Sequence, residues 1–98
     1  MQINSDRNGG KLTIRLSGRL DTTTAPAFES ALKAQLPGVT DLEIDCAGLI
    51  YISSAGLRVI LGAQKSMNSQ GRMCLSQVGP AVMEVLTMTG FVDILTLV

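Results

Sequence analysis

Histidine and tryptophan are missing from this 98-residue chain, and cysteine, proline and aromatic residues are few. Without histidine the commonest general base is gone, and so is any histidine-assisted nucleophile. Two cysteines, Cys46 and Cys74, make neither a disulfide framework nor a metal site, and both read as buried free thiols. No apolar run approaches the ~20 residues that a bilayer span needs, and Met1 to Asp6 has no signal-peptide core. The expected location is therefore the cytoplasm, with no membrane insertion. A charge of one sign is also missing, because eight basic and eight acidic residues give a formal net charge of zero. Clustered Lys and Arg are what hold a protein to a phosphate backbone, so nucleic acid is not an expected partner. With only three aromatic residues (Phe28, Tyr51 and Phe91), the core must be aliphatic and filled out with methionine.

Enzyme signatures are missing as well. The run Ile52-Ser53-Ser54-Ala55-Gly56 lacks the first glycine of a nucleophile elbow, and neither a phosphate loop nor a G-x-G-x-x-G run occurs. Asp41, Glu43 and Asp45 alternate on one strand face. They read as a solvated face, because a metal site would need further oxygen ligands converging on it. No enzymatic activity, cofactor or metal is expected.

What is present is a hydrophobic content of 46% arranged in short periods, enough for one domain over residues 1–98. Gln2 to Ser5 can form a strand, and Asn8-Gly9-Gly10 signals a hairpin. Lys11 to Ser17 alternates cleanly, with Leu12, Ile14 and Leu16 on one face, and Gly18 ends the strand. Thr24 is the expected N-cap of a helix carrying Ala25, Phe28, Leu32 and Leu36, with Pro26 in its first turn and Pro37-Gly38 as the stop. Asp41 to Cys46 alternates again, and Leu49 to Ile52 is a second β-type run. A helix after Ser54 places Leu57, Ile60, Leu61, Ala63 and Met67 on its apolar face, with Arg58, Gly62, Lys65 and Ser69 on a polar stripe. Arg72 to Val78 reads as a strand, Gly79-Pro80 opens a short helix that Gly90 closes, and Asp93 to Val98 reads as a last strand. The order β-β-α-β-α-β-α-β predicts an α/β fold, a mixed sheet with an antiparallel N-terminal hairpin, parallel strands and helices packed on the sheet.

In open sheets of this kind, sites gather beyond the carboxyl ends of the strands, which here means the loops Asp21 to Thr24 and Ser53 to Gly56. At the second loop a strand meets a helix start, where backbone N–H groups lack intrahelical partners and the dipole favours negative charge. Ser53 or Ser54 can cap that helix, and an exposed hydroxyl there can also carry a phosphate. Gly56 in the first turn calls for a close approach, either of a partner or of the neighbouring Asp21 loop. Arg58 lies one turn after Ser54.

Three segments carry a resemblance: Leu16-Ser-Gly-Arg-Leu-Asp-Thr-Thr-Thr-Ala25, Leu42-Glu-Ile-Asp-Cys-Ala-Gly-Leu49 and Tyr51-Ile-Ser-Ser-Ala-Gly-Leu-Arg-Val-Ile-Leu61. With Val78-Gly-Pro-Ala-Val82 and Gly90-Phe91, they make the chain similar to the STAS-domain anti-sigma factor antagonists. The resemblance implies a partner-switching regulator with two phosphorylation-linked partners. An anti-sigma factor that is also a serine-protein kinase would phosphorylate it, and a metal-dependent serine phosphatase would reverse the modification. The unphosphorylated form would bind the anti-sigma factor and free a sigma factor. The family motif commonly reads Asp-Ser-Ser/Thr-Gly-Leu, which places the acceptor at Ser54. Here Ser53 stands where the motif has Asp and Ala55 where it has a second hydroxyl, so Ser53 is a second candidate acceptor. Asp21, Thr22, Thr24, Ser53, Ser54, Ala55, Gly56 and Arg58 are the expected partner surface, with Asp21 as a fixed charge placed to accept a hydrogen bond from the serine hydroxyl or from the partner. Two other readings share the outline: a STAS subunit of a lipid-transport complex that docks by the same edge, and a small-ligand or nucleotide sensor.

Overall fold

Alternating apolar residues build the sheet, and a computed structural model describes all residues, 1–98. Strands β1 (Gln2–Asn8), β2 (Lys11–Leu20), β3 (Asp41–Ile52) and β4 (Arg72–Ser76) are separated by helices α1 (Ala25–Gln35) and α2 (Ser54–Asn68), with α3 (Pro80–Thr89) following β4. The strand order is β1-β2-β3-β4, the first pair antiparallel and the others parallel. Leu12, Ile14 and Leu16 of β2 point the same way as Leu42, Ile44 and Cys46 of β3 and Met73 and Leu75 of β4. All of them join one core of 24 buried residues with the apolar faces of the three helices. Phe28 is the one aromatic side chain wholly inside it, and truncating such a ring typically costs about 3–5 kcal/mol.

The outer sheet face is charged and ordered by register. Acidic β3 runs between two basic neighbours. Lys11 reaches Glu43 at 3.4 Å, Arg15 reaches Asp45 at 4.0 Å, and Arg72 reaches Asp41 at 3.4 Å. The three carboxylates are thus answered by cations and converge on no common point. Glu43 also accepts a 2.7 Å hydrogen bond from the hydroxyl of buried Ser76. That bond, followed by the Lys11 ammonium, holds its carboxyl below the usual glutamate value.

Several boundaries differ from the sequence expectation. β2 does not stop at Gly18: the left-handed φ of +95° there is absorbed as a register shift, and pairing continues to Leu20. The runs Asp41–Cys46 and Leu49–Ile52 are one strand. Asp45 to Gly48 faces Arg15 to Ser17, and Leu49 to Tyr51 faces Gly18 to Arg19, so β3 carries two extra residues. Its buried positions consequently change from every second residue (Leu42, Ile44, Cys46) to every third (Leu49, Ile52). β4 ends at Ser76 because Gln77 takes a φ of +54°. The expected last strand is largely a turn. Phe91–Asp93 is a 3₁₀ turn, Leu95 N–H donates to Phe91 O at 2.9 Å, and only Leu97 bridges to Leu75. Phe91 and Leu95 pack inward while Asp93 and Ile94 face solvent, a helical spacing that alternation cannot supply. Of the two thiols, Cys46 is buried and pushed up to about 12 by desolvation, whereas Cys74 is only half-buried on the charged face. Met67 and Met73 fill the core as expected, but Met88 is exposed.

Folded Glu43 holds its proton less tightly than the unfolded chain does. The Ser76 and Lys11 contacts therefore contribute fully above the ordinary glutamate value of 4.5 and are lost as pH falls through the lowered folded value. Thermal melts of wild type and Glu43→Gln between about pH 6 and pH 3 should converge on acidification. A gap that stays constant across that range would remove Glu43 from the acid response.

Candidate functional site

The carboxyl ends of β2 and β3 lie side by side, with Leu20 in register with Ile52, and Ser53 N–H donates to Leu20 O at 2.9 Å. This bond brings the Asp21 and Ser53 loops to one edge. Ser53 is the N-cap of α2: its backbone is extended and its hydroxyl accepts from Gly56 N–H at 3.4 Å. Ser54 is the first helical residue, exposed, and its hydroxyl is engaged in no side-chain hydrogen bond. Of the two serines that could cap the helix, Ser53 does so and Ser54 does not.

Gly56 is buried, which corrects its place on the partner surface. A Cβ there would stand 2.6 Å from Leu20 Cγ and 3.1 Å from Ile52 Cγ1, so the missing side chain lets α2 seat on the strand ends. The close approach is made by Leu20, the residue preceding Asp21, and by Ile52. Ala55 is half-buried and Arg58 exposed.

Asp21 organises its own loop. Its Oδ1 accepts from Thr23 N–H at 3.0 Å, Thr23 Oγ1 at 2.7 Å and Thr24 N–H at 3.1 Å, while Oδ2 faces Arg19 Nε at 3.8 Å. The Thr23 hydroxyl is the largest cause of its lowered pKa. Of the two hydrogen bonds considered for Asp21, the one from Ser54 is not formed, because the carboxylate is taken up by donors two and three residues on. Thr24 holds the N-cap position of α1, but its side chain does not cap. The hydroxyl donates to Arg19 O and accepts from Asp21 N–H, both at 2.8 Å, which closes the turn backwards. Thr22 is exposed.

Two grooves flank the start of α2, and Arg58 lines both. One, of about 160 Å³, runs toward α1 between Thr22, Ala25, Pro26, Glu29, Ala55 and Val59. The other, of about 440 Å³, runs toward α3 and is lined by Ser54, Leu57, Leu61, Thr89 and Phe91. Thr89 and Phe91 were missed in the sequence because the chain around them reads as a helix end followed by a strand. On the strand side of the edge, Arg19 lies over the Tyr51 ring at 4.1 Å, and Ile50 is exposed beside it. The arrangement offers a positive helix end, an unengaged hydroxyl and shallow apolar surface on either side. It suits modification and docking better than bond-making chemistry.

The STAS domain family matches residues 2–98. The Bordetella bronchiseptica protein BtrV is 36% identical over 96 residues, covering 96% of this chain and 83% of its own. The anti-sigma F factor antagonist of Paenibacillus polymyxa is 32% identical over 98 residues, covering 97% of this chain and 84% of its own. Among solved structures, the anti-sigma factor antagonist SpoIIAA in its unphosphorylated form superposes with a TM-score of 0.86 at 20% identity, covering 99% and 88%. SpoIIAA of Bacillus in its phosphorylated form superposes at 0.77 and 19% identity, covering 99% and 91%. At these identities the structural likeness establishes the fold.

The division of roles at the α2 start is open to measurement by urea unfolding. Ser53→Ala should cost about 0.5–2 kcal/mol through the lost cap, and Ser54→Ala should stay within about 0.5 kcal/mol. Gly56→Ala should cost about 1–3 kcal/mol by forcing α2 off Leu20 and Ile52. Equal losses for the two serine variants would contradict the assignment of the cap.

Proposed function

The chain belongs to the STAS domain family, and on that premise we propose that residues 1–98 act as one anti-sigma factor antagonist domain, switched by phosphorylation of Ser54. In its unmodified form the protein binds an anti-sigma factor that is also a serine kinase, which releases a sigma factor. The kinase transfers the γ-phosphoryl group of ATP to Ser54 Oγ, whose proton is lost as ADP leaves, and the complex separates. A metal-dependent serine phosphatase hydrolyses the phosphoester and returns the binding form.

The observation that carries this reading is the free, exposed Ser54 hydroxyl at the first helical position, next to a different serine that does the capping. A helix start stabilises an anion by roughly 0.3–1 kcal/mol, so the fold tolerates the added charge. A partner packed on the same surface must instead desolvate roughly 1.5 to 2 negative charges. The partner surface on this reading comprises Ser54, Ala55 and Arg58 of α2 with Thr22 and the Asp21 turn. Ser53 and Thr24 act from below as cap and turn closure.

The test is to incubate the purified protein with anti-sigma kinases of the same genome and ATP, followed by tandem mass spectrometry. Phosphate is expected on Ser54, and its appearance only on Ser53, or on neither, would refute the assignment. Phosphorylation should weaken kinase binding by about a hundredfold, equivalent to ~2.8 kcal/mol. Ser54→Ala should bind but resist modification. Ser54→Asp, with a single charge, should bind with intermediate affinity and an unchanged melting temperature.

A further inference from the structure

Arg58 is exposed on α2 and takes part in no ion pair or side-chain hydrogen bond, whereas Lys11, Arg15, Arg19, Lys33 and Arg72 each face a carboxylate. Its position makes this unusual. A cation near a helix start stands at the positive end of the dipole, and α2 has no acidic residue in its first turn to offset it. Glu29, which shares the α1-side groove with Arg58, is at 3.9 Å from Lys33. The start of α2 therefore carries uncompensated positive charge in the unmodified protein.

The geometry points to Arg58 as the internal counter-ion of phosphorylated Ser54, an inference that rests on Ser54 being the acceptor. Residues four apart on a helix are surface neighbours, and an anion placed four residues before a cation is the favoured order. Both side chains line the groove floored by Leu57, Leu61 and Phe91, where apolar surface strengthens a charge pair relative to open water. The guanidinium fork matches two phosphate oxygens at once. The functional consequence is a two-part change at the surface. Modification adds a dianion, and it also turns Arg58 inward along the helix, so a partner carboxylate that used this cation loses it.

The test uses full-length protein with phosphoserine installed at position 54 during synthesis, so its outcome does not depend on any kinase recognising the site. Phosphorus NMR then follows the second ionisation of the phosphate, normally near pH 6. The midpoint should lie at least about 0.5 pH unit lower in the wild-type background than with Arg58→Ala, because the nearby cation favours the dianion. Lys65→Ala, which removes the same charge from the last turn of α2, should leave the midpoint at the wild-type value. Identical midpoints with and without Arg58, or an equal shift from Lys65→Ala, would overturn the counter-ion role. Failure of every kinase to modify Ser54 would sink the phosphorylation reading and leave the NMR result standing.

Discussion

The close seating of α2 on the ends of β2 and β3 is the constraint on which the whole edge carrying the Asp21 and Ser53 loops depends. Leu20 and Ile52 occupy the space that a side chain at position 56 would need. Because that space is given up, the Ser53 N–H can reach Leu20 O and the Ser53 hydroxyl can cap the helix from directly below. A helix lifted even by a methyl group would loosen both bonds and tilt the first turn away from the Asp21 loop. Glycine in a first turn costs roughly 0.5–1 kcal/mol relative to alanine. The burial of Leu20 and Ile52, at roughly 1.5–3 kcal/mol each, outweighs that cost.

The charged outer face does a different job from the core. Its ion pairs are partly solvated, and such pairs contribute roughly 0–1 kcal/mol each, so the aliphatic core must supply most of the stability. What the charges fix is alignment. With acids at Asp41, Glu43 and Asp45 in the middle strand and bases at Lys11, Arg15 and Arg72 on either side, a slip of β2 or β4 would leave carboxylates without cations. Alignment matters at the far end of the strands, because Leu20 must arrive opposite Ile52 for the two loops to meet at one edge.

Much of this was legible in the sequence because the signals were local. Alternation over Lys11–Ser17 and Asp41–Cys46 marks strands, and the helical spacing of Phe28, Leu32 and Leu36 marks α1. The motif around Ser54 locates the edge and identifies the family. What stayed hidden depends on partners distant in sequence. Nothing local says that β3 carries two extra residues relative to β2, since a bulge exists only as a mismatch between strands. The 3₁₀ turn after Gly90 was read as a strand because Leu95 and Leu97 mimic alternation, while Leu95 is in fact placed by its helical bond to Phe91. The Thr24 hydroxyl was expected to cap forward, but proline at the second helical position offers no N–H, and the hydroxyl instead closes the turn by donating to Arg19 O and accepting from Asp21 N–H.

Separating the cap from the free hydroxyl resolves a conflict built into any modification at a helix start. A capping serine accepts a backbone hydrogen bond through the same oxygen that a kinase would esterify, so phosphorylating it would rearrange the helix terminus. With Ser53 as the cap, the oxygen of Ser54 is structurally idle, and charge placed on it meets unpaired N–H groups and the positive dipole end without displacing any existing bond. The helix is thus indifferent or slightly favourable to the modification. If Ser54 is the acceptor, as proposed, a surface seated over Thr22, Ala55 and Arg58 has to accommodate a dianion where a neutral hydroxyl stood. On the proposed reading, the discrimination between the two states therefore comes mainly from the interface and needs no rearrangement of the helix terminus.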